Sequence, residues 1–269
     1  MYLDFYGLKE APFNITPDPR FLYFSARHRE AYDHLLYGIE QRKGFIALTG
    51  EVGSGKTTVC RAVLAALSKQ VRTALILNPS LTETQLLRAI LHDFGLVPKG
   101  RDRLAYIEQL NEFLLEQTRQ GLNVALFIDE AQDLLPEVME QVRLLSNLET
   151  DQHKLMQIVL AGQPELQARL ARPEFRQLRQ RITISCHLLP LSEEETGLYI
   201  QHRLAVAGAA DGAMFEPEAV RRVHRYAGGI PRVTNTVCDR AMLAGYVSGA
   251  GRIGGREVKR ALTEMEEKL

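Results

Sequence analysis

The stretch Gly50-Glu51-Val52-Gly53-Ser54-Gly55-Lys56-Thr57-Thr58 carries three glycines, a lysine and two threonines in the spacing G-x-x-x-x-G-K-T. These residue types suit a phosphate group. Glycines let successive backbone N–H groups turn into one hollow, and a helix N-terminus behind them adds partial positive charge. Lys56 can reach β and γ phosphates, and the Thr57 hydroxyl can ligate Mg²⁺. Further along, the apolar run in Asn123–Gln132 ends in Asp129 and Glu130. Asp129 suits Mg²⁺, directly or through water. Glu130 is placed to activate a water for attack on a γ-phosphate. A carboxylate pair at a strand end can also cap the next helix, and the upstream phosphate loop favours the chemical reading. Gln163, closing Leu155–Gln163, could orient that water or touch the γ-phosphate, and Asn78, closing Arg72–Asn78, offers an amide to the same crevice. Either could instead form a turn.

Arginines follow at 169, 172, 176, 179 and 181. Arg172, Arg176 and Arg179 have the spacing of one helical face, which is usually solvated. Arg181 is off that face and is expected to begin a strand. In Ala227–Asn235, Gly228 and Gly229 can stop one helix and Pro231 suits the first turn of the next. Arg232 then stands at a helix start, where a cation opposes the dipole. Bound phosphate would compensate that charge.

Strands and helices must position these groups. Phe45–Thr49 reads as a buried strand and Lys56–Leu67 as an amphipathic helix, so the glycines lie at a strand-to-helix seam. Further strands are expected at Arg72–Asn78, Asn123–Gln132, Leu155–Gln163 and Ile182–Leu191. Helices are expected at Thr84–Phe94, Leu104–Gln120, near Pro136–Leu148, and from Pro164 with a break at Pro173. Strands alternating with helices imply a parallel sheet with helices on both faces. From Ser192 onward the strand patterns stop, and helical ones appear at Ser192–Ala207, Pro217–Ala227, Pro231–Val247 and Gly255–Lys268. The expected organisation is an aromatic-rich strap and helix at 1–44, an α/β nucleotide-binding core at 45–191 and a small all-helical domain at 192–269.

The chain has 269 residues, with 33 Lys+Arg balancing 33 Asp+Glu, so net charge pushes it toward neither nucleic acid nor membrane. No apolar run is long enough to span a bilayer, and the N-terminus lacks a signal-peptide core. Cys60, Cys186 and Cys238 lack C-x-x-C spacing and read as reduced, buried thiols of a cytoplasmic protein. Aromatics crowd the N-terminal segment, among them Tyr2, Phe13, Phe21, Tyr23 and Phe24. They are expected to pack onto the core. The alternative is that they wall a nucleotide base or meet a partner.

Together these residues resemble the AAA+ ATPases, a P-loop NTPase family, and in particular the ExeA/GspA (general secretion pathway protein A) type with its pilus-biogenesis and exosortase-associated relatives. The resemblance spans nearly the whole chain, from "YGLKEAPFNITPDPRFLYFSARHREA" through "LTGEVGSGKTT", "FIDEAQDL", "LAGQPEL", "LRQRI" and "YIQHRL" to "AGGIPR". It implies that Lys56 and Thr57 belong to Walker A, and Asp129 and Glu130 to Walker B. Asn78 looks like the second-strand residue that restrains the glutamate, and Gln163 like sensor 1, where asparagine is commoner. Arg181 looks like a finger reaching a neighbouring subunit's γ-phosphate, with Arg176 and Arg179 as fallbacks. Arg232 looks like the sensor-2 arginine of a helical lid.

The resemblance further implies ATP and Mg²⁺ as ligands, a five-stranded core, a homo-oligomeric ring or filament, and ATP hydrolysis that powers an envelope secretion complex. Family members of this type continue into a membrane span and a periplasmic part. This chain ends at "ALTEMEEKL", and is expected to be either an excised ATPase domain or a stand-alone relative, reaching the inner membrane through a partner or a missing extension. Two other readings remain open at this point: a DNA-associated regulator of the transposition type, and a nucleotide switch that does not hydrolyse.

Overall fold

The computed structural model describes residues 2–67, 69–77, 79–149, 154–210 and 213–266. In chain order its elements are α1 (Tyr2–Phe5), α2 (Ala26–Glu40), β1 (Phe45–Gly50), α3 (Lys56–Ala66), β2 (Val71–Ile76), α4 (Glu83–Asp93), α5 (Arg103–Arg119), β3 (Asn123–Ile128) and α6 (Pro136–Leu145). Then come β4 (Gln157–Gly162), α7 (Pro164–Leu170), α8 (Arg176–Arg181), β5 (Ile182–Leu188), α9 (Glu193–Val206), α10 (Pro217–Ala227), α11 (Pro231–Ser248) and α12 (Gly255–Glu266). Local chemistry sets many of these limits. Thr82 with Gln85 and Ser192 with Glu195 form capping boxes that start α4 and α9. Proline opens α6, α7, α10 and α11, where its missing N–H costs nothing. Gly228 closes α10 in the left-handed conformation.

The chain groups into two compact units. The first comprises Met1–His28, Glu51–Thr58 and Leu189–Leu269, and the second comprises Arg29–Gly50 and Val59–Leu188. The second unit is built on a five-stranded sheet in the order β2-β3-β4-β1-β5, with every pairing parallel. Inner strands β1, β3 and β4 are buried along their whole length, while edge strands β2 and β5 are buried only in part. A parallel inner strand covered on both faces must be apolar on both, which is why these segments read as continuous hydrophobic runs. Leu86, Leu87, Ile90 and Leu91 of α4 join Leu110 and Leu114 of α5 in the same core as Leu126 and Ile158.

The topology positions the chemistry of this unit. The chain leaves β1 for β2 at one edge, returns through β3 and β4, then passes beyond β1 to β5. The C-terminal ends of β3, β4 and β1 therefore lie side by side. The register pairs Ile128 with Leu160 and Thr49 with Gly162, so Asp129, Gln163 and Gly50 stand along one edge of the sheet. Ligands of open α/β sheets bind at that edge.

The first unit packs α9–α12 with the N-terminal strap around a second core that includes Phe13, Phe21, Leu191, Tyr199, Leu204, Phe215, Val237 and Ile253. The strap is fastened at several points. Tyr2 Oη donates to Asp239 at 2.5 Å, Tyr6 Oη to Ala250 O at 3.1 Å, and Lys9 N to Ala207 O at 2.8 Å. Arg203, buried in α9, donates to the Pro12 and Asn14 carbonyls and lies 4.7 Å over the Phe21 ring. Phe13 meets Phe215 edge-on at 5.9 Å. These contacts match the expectation that the strap's aromatics pack into a core.

Several boundaries differ from those expected. β2 ends at Ile76, and Asn78 lies outside the described residues. β5 stops at Leu188 instead of Leu191, because Pro190 has no N–H for a ladder; Leu191 N donates to Gly229 O instead. Arg181 ends α8 rather than opening β5. A 3₁₀ turn at Pro173–Phe175 interrupts the helix before α8, so Arg172, Arg176 and Arg179 do not form one continuous helical face.

Candidate nucleotide site

In the first unit, the loop Glu51–Gly55 leads into α3, whose first residue is Lys56. Gly53 and Gly55 have φ of 78° and 103°, values that L side chains rarely adopt. Ser54 N donates to Glu51 O at 3.1 Å, closing a tight turn. Lys56 is buried, and its Nζ reaches back to Glu51 O at 3.0 Å, so the ammonium lies across the loop. Thr57 and Thr58 follow in the first turn of α3, half-buried, whereas Glu51 and Val52 are exposed. The Ser54 hydroxyl is buried without a partner among the described residues. A glycine-lined hollow, a helix start, a buried lysine and an orphaned hydroxyl fit a phosphate chain.

Two flanking groups hold this loop, Arg232 and His28, and only the first stands out in the sequence. Arg232 N donates to Gly53 O at 3.2 Å, at the start of α11. A Cβ on Gly53 would come within 2.5 Å of Arg232 Cβ, so this position must be glycine for space as well as for φ. The expected neighbour of bound phosphate is thus beside the loop, with its side chain exposed. On the other flank His28 is 3 % exposed, with Nε2 at 2.9 Å from Ser54 O and Nδ1 at 2.7 Å from Ser25 Oγ. A carbonyl only accepts, so Nε2 carries the proton and Nδ1 accepts from the Ser25 hydroxyl. Burial pushes the His28 pKa down, which favours this neutral form. The signal in the sequence was Ser25 followed three residues later by His28, an N-cap pair for α2 in which Ser25 Oγ also accepts from His28 N.

The same unit has a pocket bordered by Gly55 and Thr58 of the loop and walled by Phe21, Tyr23, Tyr199 and Pro231. Its aromatic lining gives the strap's alternative role, walling a base, a physical location. Phe21 belongs to the packed core of this unit and also lines this pocket.

In the second unit the acidic strand end is held tightly. Asp129 is buried at the end of β3, and its Oδ1 accepts from Glu130 N at 2.9 Å. Glu130 has φ 51° and ψ 39°, a left-handed conformation that costs a non-glycine residue about 1–2 kcal/mol. Its Oε2 accepts from Gln132 Nε2 at 2.9 Å and from Gln163 Nε2 at 3.2 Å. Gln132 Oε1 in turn accepts from Gln163 N at 3.0 Å, and Arg169 donates to the Gln132 carbonyl. A Cβ on Gly162 would sit 2.9 Å from Gln132 Oε1, so the small residue ending β4 makes room for this carboxamide. Gln163 thus bonds the Glu130 carboxylate, and Gln132 is an added partner. Its only sequence signal is its place two residues after Glu130.

Arg181 is half-buried and donates to Ser146 Oγ, whereas Arg176 and Arg179 are exposed. Glu140 is held below the usual carboxylate range first by its hydrogen bond from Arg143, with a smaller contribution from the Arg181 charge. Among the described residues no cluster of three or more His, Cys, Asp or Glu could hold a metal. Mg²⁺ does not need such a cage, because it keeps waters and substrate phosphates as ligands.

An AAA-domain family model matches residues 39–170. The general secretion pathway protein A of Aeromonas hydrophila is 48% identical over 268 residues, 98% of this chain. Residues 39–170 belong to the AAA-domain family. The chain spans about half, 48%, of the length of that curated relative. Among solved structures, the Aeropyrum pernix ORC2 protein in its ADPNP–ADP complexes superposes with a TM-score of 0.71 at 17% identity, covering 95% of this chain and 71% of that one. The Thermotoga maritima RuvB Holliday junction branch migration motor does so at 0.59 and 19%, covering 87% and 68%. At these identities the likeness is one of fold, a P-loop NTPase with a parallel sheet. The family is nucleotide-binding, in keeping with the geometry of the loop Glu51–Gly55. Among the described residues no helix is long and apolar enough to cross a membrane.

Proposed function

We propose that this chain is a Mg²⁺-dependent ATPase that powers assembly or export by an envelope secretion complex. The observation that supports hydrolysis most directly is Glu130, a left-handed residue whose carboxylate is held by two carboxamides. In this reading the loop amides and Lys56 bind the phosphate chain, with Gly50, Glu51, Val52, Gly53, Ser54, Gly55, Thr57 and Thr58 forming the rest of the binding segment. Glu130 accepts a proton from water as its oxygen bonds to the γ-phosphorus and the bond to the ADP oxygen breaks. Gln163 orients that water, and Arg232 adds positive charge beside the loop. Mg²⁺, when bound, would be held by the Thr57 hydroxyl and the Asp129 carboxylate, and would offset phosphate charge.

The secretion role rests on the similarity to the general secretion pathway protein A of Aeromonas hydrophila, and the chain is proposed to act in the cytoplasm, at the inner face of the envelope, as a homo-oligomer. Arg181 is proposed to serve the neighbouring subunit. The DNA-binding alternative is not favoured, because 33 Lys+Arg are balanced by 33 Asp+Glu and a 3₁₀ turn keeps Arg172, Arg176 and Arg179 from forming one helical face. The experiment is ATP binding and turnover. Lys56→Ala should abolish the thermal shift given by ATP with Mg²⁺. Glu130→Gln should keep that shift and lose about 10²–10⁴ in rate. Turnover by Glu130→Gln at the wild-type rate would reduce Glu130 to a structural role, and absence of turnover in the wild type would leave the non-hydrolysing switch as the better reading.

A further inference from the structure

We propose that His28 is a positioning residue for the phosphate chain. It aims the Gly55 amide by holding the opposite end of the same peptide plane. The inference rests on the nucleotide reading of the loop and concerns how that loop keeps its shape.

In a trans peptide, C=O and N–H point in opposite directions. None of the described peptide bonds is cis. His28 Nε2–H binds Ser54 O at 2.9 Å, which turns the Gly55 N–H away from the imidazole. One residue earlier, Arg232 N binds Gly53 O at 3.2 Å. Two successive carbonyls are thus tethered outward by groups from outside the loop. A loop with φ of 78° and 103° at its glycines has many conformations open to it. Tethering the Ser54 carbonyl selects those in which the Gly55 amide faces a ligand, so less ordering is left for the binding step.

The imidazole is itself fixed. Ser25 Oγ binds Nδ1 at 2.7 Å and places the proton on Nε2, and burial favours the neutral ring. The space is filled too, since a Cβ on Gly55 would lie 3.2 Å from His28 Nε2. Loss of the imidazole would leave the Ser54 carbonyl unsatisfied and free the peptide plane to rotate.

The test is binding of ATP, adenosine and inorganic tripolyphosphate to the whole chain, as wild type, His28→Phe and His28→Gln. Phe keeps much of the ring volume and removes the donor. Gln can place an N–H near the position of Nε2. Loss of a buried hydrogen bond predicts a tenfold to hundredfold weaker Kd for ATP and tripolyphosphate in His28→Phe, on the order of one to two decades. Adenosine affinity should be unchanged, and His28→Gln should recover most of the loss. Equal loss for adenosine and ATP would overturn the proposal, because His28 would then be supporting the aromatic pocket. So would wild-type ATP affinity in His28→Phe, or a His28→Gln protein as weak as His28→Phe. If wild type bound none of the three probes, the nucleotide reading itself would fall. Should His28→Phe not fold, Ser25→Ala supplies the readout. It removes the group that sets the tautomer, and must weaken tripolyphosphate binding while sparing adenosine.

Discussion

Replacing Gly53 with alanine should destabilise the first unit through two separable effects. The residue has φ of 78°, and moving alanine into that region costs about 1 kcal/mol. The new Cβ would also stand 2.5 Å from Arg232 Cβ and 3.3 Å from Ile230 Cγ2. Both neighbours are anchored at the start of α11, so the collision cannot be relieved by swinging a flexible tip. Overpacking of this kind costs about 1–3 kcal/mol. The sum is about 2–4 kcal/mol in denaturant unfolding of the ligand-free protein. A double-mutant cycle divides it. Arg232→Gly removes the opposing Cβ, so Gly53→Ala in that background should cost only about 1–2 kcal/mol. Arg232→Ala removes the guanidinium but keeps the Cβ, so there Gly53→Ala should cost as much as in wild type. An equal cost of Gly53→Ala in the Arg232→Gly and Arg232→Ala backgrounds would refute the collision argument. A negligible cost in wild type would refute both terms.

Gln132→Ala removes a 2.9 Å donor from Glu130 Oε2 and the acceptor of Gln163 N. It should lower kcat about tenfold or more with little change in ATP affinity, the pattern of a residue that acts after binding. The same change added to Glu130→Gln should cost almost nothing further, because the group it positions is already disabled. Mixing Arg181→Ala with Glu130→Gln tests action across subunits. Interfaces that pair an intact pocket with an intact arginine should restore ATPase activity above either protein alone, since such a finger contributes roughly 10³–10⁵ in rate. Flat activity from mixed oligomers shown to form would confine Arg181 to its own subunit.

Much of this molecule was legible in the sequence because the relevant physics is local. A buried strand, a glycine turn and an amphipathic helix occupy consecutive residues, so the glycine loop at their seam announces itself. The same holds for the strand end at Asp129 and Glu130, and for α10, whose expected limits Pro217–Ala227 are those observed. Proline and glycine marked these boundaries through dihedral limits and missing donors, which act within a few residues. Contacts between distant residues carry no such period. His28 meets Ser54 across 26 positions, Arg203 meets Pro12 across 191, and Gln163 meets Gln132 across 31. A histidine three residues after a serine, or a glutamine after an acidic pair, has many structural uses, and only packing selects one. That the strap, the loop Glu51–Thr58 and the C-terminal helices share one compact unit was likewise decided by tertiary structure. Phe13, Phe21 and Tyr199 find in one another the apolar area that none could bury within its own segment.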